Sequence, residues 1–173
     1  MQLDFNAREL TIKLVYYGPA LSGKTTNLKP LHEMVSQPAR GRLMTLDTRD
    51  DRTLFFDLLP LQIKAGSGLT VRLKLLTVPG QVIHNATRRL VLSGADGVAF
   101  IADSRKSETR EGASAFVNLR QNLTECGIAP ASLPIVIQFN KRDLPDIRSD
   151  QEIDELAKRG KEPVFKAVAM QGT

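Results

Sequence analysis

The stretch Gly18-Pro-Ala-Leu-Ser-Gly-Lys-Thr25 fits the pattern G-x-x-x-x-G-K-[ST] and decides how the chain should fold. It lies between an apolar run, Leu10–Tyr17, and a helix-compatible segment, Thr25–Val35, which is the context in which this pattern binds phosphate. Gly18 and Gly23 let the backbone curl closely around phosphate oxygens because neither carries a Cβ atom. The sequence therefore predicts an anion site where a strand meets a helix.

The chemistry of this loop gives each part of it a task. Lys24 supplies a point charge to the β- and γ-phosphates, and the Thr25 hydroxyl ligates Mg²⁺. Successive N–H groups of the loop and of the first helical turn point at the anion. The predicted phosphate-binding residues are Gly18, Ala20, Leu21, Ser22, Gly23, Lys24, Thr25 and Thr26. The competing interpretation, a glycine-bearing turn with an incidental lysine, is disfavoured by the strand-to-helix context.

Apolar, β-prone runs alternate with helix-compatible stretches along the rest of the chain. The runs are Thr53–Ile63, Leu69–Val78, Gly97–Ala102, Leu133–Phe139 and Val164–Ala169, and the helical stretches are Asn85–Leu92, Ser107–Cys126 and Ser149–Lys158. This alternation predicts an α/β fold, a mostly parallel sheet with helices on both faces. The short turn Ala65–Gly68 predicts one antiparallel hairpin at the sheet edge. Ser149 and Glu152 carry the signature of a capping box.

Two features conflict with a regular doubly wound sheet. Pro30 falls inside the first helix, where it removes a backbone donor and should kink or shorten that helix. The sequence also ends at Thr173, just after the last predicted strand, so a C-terminal helix that would cover one face is absent from it. We expect either a truncation or a covering partner to account for that absence.

Length and composition limit the class of protein. The 173 residues suit a single domain spanning 1–173, and 42% apolar with 25% charged residues exclude a disordered chain. The net charge of +5 is scattered and aromatic residues make up only 5%, so nucleic-acid binding is not predicted. A lone cysteine, Cys126, excludes a disulfide framework and fits a reducing cytoplasm. We find no signal peptide, membrane span or lipidation motif, so no stable membrane anchor is predicted.

A second motif, Asn140-Lys141-Arg142-Asp143, follows the buried run Leu133–Phe139 and so lies at the carboxyl end of a central strand. The Asp143 carboxylate can accept two hydrogen bonds, from the N1–H and the exocyclic amine of guanine, whereas adenine presents the opposite pattern. The Lys141 stem can lie over the base plane. Alone, such a tetrapeptide is more often a solvated loop, but beside a phosphate loop it predicts guanine recognition.

On these motifs the chain resembles the Ras-like small GTPases, and most of all the bacterial MglA-type branch of gliding motility and cell polarity. The resemblance runs from about Thr11 to Gly172. It is carried by Tyr16-Tyr17-Gly18-Pro19, Asp51-Arg52-Thr53-Leu54-Phe55-Phe56-Asp57, Thr77-Val78-Pro79-Gly80-Gln81 and Asn140-Lys141-Arg142-Asp143-Leu144-Pro145. It implies a Ras-like P-loop fold whose switch loops, near 40–53 and 80–92, respond to the γ-phosphate.

The resemblance also implies roles for single residues. Thr53 would close on Mg²⁺ and the γ-phosphate, and the Gly80 N–H would sense that phosphate. Gln81 would orient the attacking water, and Arg52 would act as an arginine finger from the protein's own chain. The Ala169 N–H would reach the guanine carbonyl. On spacing alone Arg52 is a plain exposed arginine, and Asp57 is an ordinary strand residue.

The chain departs from the wider family at two positions. Thr77 stands where most Ras-like proteins have an aspartate that holds a water on Mg²⁺, although the MglA-type branch shares a threonine there. Ala20 stands where glycine is usual, and its methyl group can crowd Gln81 beside the γ-phosphate. Both departures bear on hydrolysis more than on nucleotide binding.

By resemblance, the chain is expected to bind GTP with Mg²⁺, hydrolyse it slowly to GDP, and change its affinity for downstream effectors. A roadblock-fold dimer would stimulate hydrolysis. The alternative is a nucleotide-loaded binding module with little turnover. An ATPase or nucleotide kinase would have no use for Asn140 and Asp143. A protein that keeps only the fold would not need Lys24 and Thr25 intact.

Overall fold

The computed structural model describes residues 1–39, 41–46, 56–81 and 84–172. The strands are β1 (Gln2–Asp4), β2 (Glu9–Tyr17), β3 (Met44–Leu46), β4 (Phe56–Lys64), β5 (Thr70–Thr77), β6 (Gly97–Asp103), β7 (Ile135–Asn140) and β8 (Val164–Lys166). The helices are α1 (Lys24–Met34), α2 (Asn85–Leu92), α3 (Thr109–Glu125) and α4 (Asp150–Arg159), with short 3₁₀ turns at Gln37–Ala39, Lys106–Glu108 and Ala169–Gln171. The predicted α/β class is confirmed.

The strands form one sheet in the order β3-β4-β5-β2-β6-β7-β8, in which β5, β2, β6, β7 and β8 run parallel. β4 and β5 form the predicted antiparallel hairpin, closed by a 2.8 Å hydrogen bond from the Ala65 N–H to the Leu69 carbonyl. Two further antiparallel strands were not predicted: β3 extends the hairpin, and β1 pairs with the first residues of β2. Each spans three residues, too few to show a period in the sequence.

Both faces of the sheet carry helices, as predicted. Val15 and Tyr17 of β2 are fully buried in the cluster that contains residues of α2 and α3. Their neighbours Leu14 and Tyr16 point to the opposite face, where they pack against a cluster that includes Leu28 of α1. This is the alternation that a strand covered on both sides requires.

Pro30 does not shorten α1, which was one of the two predicted effects, since the helix runs through Pro30 from Lys24 to Met34; the other effect, a kink, stays a prediction. Its Leu28 side chain is fully buried, and the helix packs on β4, β5 and the turn at Ala169–Gln171. Those contacts outweigh the one backbone hydrogen bond that a proline removes. At the other end of the chain the capping box is confirmed, because Ser149 and Glu152 cap each other's backbone N–H groups.

The parallel register gathers the sequence motifs at one edge of the sheet. Tyr16 of β2 is level with Thr77, which ends β5, and Asp103, which ends β6, is level with Asn140, which ends β7. The loops that follow these strands therefore share the edge at which open α/β sheets bind ligands. Within the described ranges, no helix is long and apolar enough to cross a bilayer.

Candidate functional site

The loop between β2 and α1 has the tight shape that its glycines predict. Gly18 and Gly23 have φ angles of +148° and +98°. A Cβ atom on Gly18 would lie 2.2 Å from the Ile101 carbonyl oxygen, and one on Gly23 would lie 2.2 Å from Asn140 Nδ2. Any side chain at either position would therefore strain the backbone and collide with its neighbour. The loop is held open for a ligand rather than filled by its own side chains.

The helix that follows the loop is prepared for an anion. Gly23 precedes α1 in a left-handed conformation, no side chain caps the helix, and its first turn contains no acidic residue. Its first N–H groups are therefore left for a ligand, and the helix dipole favours negative charge there. An anion such as phosphate fits this position.

Lys24 lies across the loop with only 7% of its surface exposed. Its ammonium group donates to the carbonyl oxygens of Gly18 and Pro19 at 3.1 and 2.6 Å. Burial and the nearby Arg88 guanidinium lower the pKa of Lys24 to about 8, against a smaller opposing effect of Asp57. A phosphate at this site would supply the negative charge that the buried ammonium lacks.

A cavity of about 440 Å³ opens beside the loop. It is lined by Leu21, Gly23, Lys24, Thr25, Thr26, Asp57, Thr77, Val78, Pro79 and Gly80. The structure thus brings five of the predicted phosphate residues, from Leu21 to Thr26, together with Gly80, which lies far away in sequence, whereas Gly18, Ala20 and Ser22 do not line this cavity. Ala20 and Gln81 line a neighbouring cavity of about 610 Å³ on the other side of Gly80.

Asp57 is the residue of this site that the sequence analysis missed. Its carboxylate is 6% exposed and accepts hydrogen bonds from the hydroxyls of Thr25 and Thr77, at 2.5 and 3.1 Å. The Thr77 hydroxyl also accepts the Asp57 N–H at 2.8 Å. Nothing in the local sequence distinguishes Asp57 from a strand residue, because its meaning depends on how β4 pairs with β5.

The donor set beside the loop fits a magnesium ion. A carboxylate and a hydroxyl are the hard oxygen ligands that Mg²⁺ takes, usually together with substrate phosphates. No group of three or more His, Cys, Asp or Glu side chains in the described part of the chain is placed to hold a metal by itself. An ion at Thr25 and Asp57 would therefore need phosphate oxygens to complete its coordination.

The second motif lies at the same edge of the sheet. Asn140 is 2% exposed and joins two loops: its Nδ2 donates to the Ser22 carbonyl and its Oδ1 accepts the Ala169 N–H, each at 2.9 Å. Asp143 is exposed beyond the end of β7. Asn140 thus links the phosphate loop to the loop that carries Ala169, the residue predicted to meet the guanine carbonyl. The Asp143 carboxylate faces solvent.

Lys141 is fixed by a residue that the sequence analysis also missed. Its ammonium group lies 2.7 Å from Asp103 Oδ2, and Arg105 binds the same carboxylate. Although burial raises the pKa of Asp103, the hydrogen bonds from Arg105 and Lys141 bring it down to about 2. Asp103 is therefore ionised at neutral pH and orients the Lys141 side chain beside Asn140.

Four predicted site residues remain, and the structure describes two of them, Ala169 and Gln81. The Ala169 N–H, predicted to meet the guanine carbonyl, donates to Asn140 here, so a base would have to share it. Arg52 and Thr53 lie outside the described residues. Gln81 is exposed beside Gly80, and its role toward the attacking water stays a prediction.

No protein-family model matches the chain. A comparison with curated proteins finds the mutual gliding-motility protein MglA of Myxococcus xanthus strain DK1622. The two sequences are 43% identical over 170 residues, which is 98% of this chain and 87% of that protein. The chain belongs to the MglA family of Ras-like small GTPases. The resemblance stated from the motifs and the Ras-like fold class are thereby confirmed.

In this MglA-family protein, Thr77 leaves the end of β5 without a carboxylate, and Asp57 brings one to the same place from the adjacent strand. The two residues share one hydrogen-bonded unit with Thr25. The Thr25 hydroxyl proton points at Asp57, which leaves the oxygen lone pairs free for a metal. The carboxylate that Thr77 does not provide at the end of β5 is thus provided by Asp57 of the neighbouring strand β4.

The first prediction concerns Asp57. In Asp57→Asn, the Mg²⁺ concentration that half-maximally slows release of a fluorescent GDP should rise at least tenfold. Without Mg²⁺ the variant should bind GDP as tightly as wild type or more tightly, because an anion has left the phosphate pocket. Asp96→Asn is the matched control, since Asp96 is also largely buried and accepts a backbone N–H, from Lys13. An unchanged Mg²⁺ dependence in Asp57→Asn would remove the carboxylate from the metal site.

The second prediction follows from the Lys24 pKa, which is about 8 in the folded protein and 10.5 in an ordinary lysine. The unfolded chain therefore binds more protons between pH 8 and 10.5, so the stability contributed by Lys24 rises over that window. Nucleotide-free Lys24→Met should be more stable than wild type at pH 7, by up to about 3 kcal/mol. That advantage should shrink as pH rises from 8 to 10.5.

Urea denaturation after removal of nucleotide measures both proteins across this range. Lys29→Met is the control, because Lys29 is an exposed lysine on the same helix. A difference between wild type and Lys24→Met that stays constant from pH 7 to 10.5 would contradict the lowered pKa.

Proposed function

We propose that this protein is a GTP-binding and GTP-hydrolysing molecular switch that requires Mg²⁺. The observation that carries the proposal is the shared cavity: an uncapped helix N-terminus, Lys24, Thr25 with Asp57, and Gly80 all border one space of about 440 Å³. Asn140 ties the phosphate loop, which borders that space, to the loop that carries Ala169. In this proposal the phosphate, metal and base sites all lie at one edge of the sheet.

In this proposal the residues divide the work along the nucleotide. The loop from Gly18 to Thr26 binds the α- and β-phosphates through its N–H groups, and Lys24 places its charge on the β- and γ-phosphates. Asn140, Lys141 and Asp143 select guanine over adenine. When bound, Mg²⁺ neutralises charge that develops on the phosphate oxygens. Thr25 and Thr53 would hold that ion, together with the Asp57 carboxylate beside Thr25.

Hydrolysis depends on residues that approach the γ-phosphate. Gly80 presents its N–H there, and Gln81 orients the water that attacks in line with the leaving oxygen. Arg52 stabilises the charge of the transferring group. Loss of the γ-phosphate releases the segments around residues 40–53 and 80–92, and this release changes affinity for effectors. Because the M. xanthus relative is named for gliding motility, we extend motility or polarity control to this chain as its cellular role.

One observation favours slow turnover, which is the alternative of a nucleotide-loaded binding module. Gly80 lies so close to the phosphate loop that a Cβ atom on it would be 2.3 Å from Ala20 Cα and 3.0 Å from Ala20 Cβ. The Ala20 methyl group therefore occupies space beside Gly80 and Gln81. A stimulating partner, which we propose to be a roadblock-fold dimer, would have to rearrange this contact. Single-turnover phosphate release with and without such a dimer separates the two functions.

The third prediction tests the base. Nucleotide released by denaturing the purified protein should be GDP or GTP. Asp143→Asn should weaken GTP binding by more than 100-fold, because an amide in place of the carboxylate leaves the guanine donors facing another donor. Asp146→Asn, an exposed aspartate on the same loop, is the control and should bind normally. Released adenine nucleotide, or an Asp143→Asn variant with wild-type GTP affinity, would exclude this motif from guanine recognition.

The fourth prediction tests Arg52. An arginine finger is worth about 10³–10⁵ in rate in other GTPases. Arg52→Ala should therefore lose most of the partner-stimulated turnover while GTP and GDP affinities stay within a few-fold. Arg42→Ala, which removes an exposed arginine shortly before β3, should keep the stimulated rate. Stimulated hydrolysis that survives in Arg52→Ala would mean that the partner supplies the finger or that none is used.

A further inference from the structure

Arg88 is the largest fully buried side chain of the described residues, with 1% of its surface exposed. It belongs to α2, close behind the turn that carries Gly80 and Gln81. None of the described carboxylates forms an ion pair with it. A buried guanidinium is costly unless its donors are satisfied, so its partners reveal what it holds in place.

Its partners include two consecutive backbone carbonyls. The Arg88 Nε–H donates to the Pro79 carbonyl at 2.9 Å, and Nη2 donates to the Gly80 carbonyl. The fork of the guanidinium thus bridges two successive peptide groups of the turn. Lysine has no planar fork and cannot reproduce this arrangement.

These bonds fix the direction of the N–H groups as well. Cis peptide bonds are absent from the described residues, and in a trans peptide the C=O and the N–H point in opposite directions. Because the Pro79 carbonyl points toward Arg88, the Gly80 N–H points away from it. The Gly80 carbonyl fixes the Gln81 N–H in the same way. Gly80 also lies against Ala20 of the phosphate loop and borders the phosphate cavity.

The far side of the guanidinium rests on a buried polar cluster formed by Tyr17, Asn85, Asn118 and Asn122. Arg88 Nη1 donates to Asn118 Oδ1 at 2.6 Å, and the Tyr17 hydroxyl donates to the same oxygen at 2.6 Å. Asn122 Nδ2 donates to Tyr17 and Asn85, at 2.9 and 2.7 Å. The guanidinium carbon also lies 5.4 Å from the centre of the Tyr17 ring.

Tyr17 is the residue directly before the phosphate loop. The cluster therefore makes a continuous connection from the end of β2, through α3 and Arg88, to the carbonyls of Pro79 and Gly80. One end of this connection thus leads into the phosphate loop, and the other end is the turn that carries Gly80 and Gln81.

We propose that Arg88 is a positioning residue that aims the Gly80 N–H at the γ-phosphate by holding the carbonyls of Pro79 and Gly80. The proposal rests on the proposed GTPase function and extends it. Arg88 touches neither nucleotide nor water; it acts through the turn. Since GDP lacks the γ-phosphate, loss of the brace should affect the triphosphate complex selectively, whereas a general structural role would affect both nucleotides equally.

The experiment compares Arg88→Lys with wild type by titration calorimetry, using GTPγS and GDP with Mg²⁺, and by thermal denaturation. In Arg88→Lys the ratio of GTPγS to GDP affinity should fall at least tenfold, with GDP affinity within threefold. Arg89→Lys is the matched control, because Arg89 is the next residue of α2, is exposed and pairs with Glu125. A folded Arg88→Lys protein with the wild-type affinity ratio would overturn the proposal.

A second measurement needs no variant. In wild-type protein the NMR signal of the Arg88 Nε–H should exchange slowly with solvent in the GTPγS complex, and the Arg89 Nε–H should exchange rapidly. Rapid exchange at Arg88 in that complex would overturn the proposal even if Arg88→Lys does not fold. A wild-type protein that binds neither GDP nor GTPγS would overturn the proposed function itself, so the two failures can be told apart.

Discussion

The side chain of Asn140 makes the interaction on which the site depends. Its amide spans the gap between the phosphate loop, at the Ser22 carbonyl, and the last loop of the chain, at the Ala169 N–H. It is almost fully buried, so either bond, if lost, would leave a polar group unsatisfied in the interior. The amide also fills the place where a Gly23 side chain would be, which couples the loop's glycine requirement to the end of β7. The loops that carry the proposed phosphate and base sites are thereby tied to each other.

Charge around the phosphate cavity is arranged to be completed by a ligand. Lys24 and Arg88 are two buried positive groups, and the Arg88 guanidinium helps to lower the pKa of Lys24, an effect that Asp57 offsets only in part. A nucleotide phosphate would offset the positive charge of these two groups. A metal ion would reduce the repulsion between the Asp57 carboxylate and the phosphates. Nucleotide and metal are therefore expected to stabilise each other's binding. Arg88 contributes twice in this account, through its charge and through the backbone that it orients.

The sequence was sufficient for features that depend on local pattern. The phosphate loop, the alternation of strands and helices, the β4–β5 hairpin and the Ser149 capping box all follow from residues near each other in the chain. The features that it did not reveal depend on long-range register. Asp57 and Asp103 acquire their meaning from neighbouring strands, and Arg88 looks like a surface arginine of an amphipathic helix until Pro79 and Gly80 are placed beside it. Pro30 does not end α1 because the packing of the buried Leu28 outweighs local propensity.

A crystal structure of the protein with GTPγS and Mg²⁺ tests the central claim, that these residues form one site for a guanine nucleotide and its metal. The account predicts Mg²⁺ about 2.1 Å from Thr25 Oγ1, with that hydroxyl still donating to Asp57. It also predicts the Gly80 N–H within hydrogen-bond distance of a γ-phosphate oxygen and the guanine edge against Asp143. A nucleotide bound with its phosphates away from the Gly18–Thr25 loop, or a metal without Thr25 as a ligand, would contradict it.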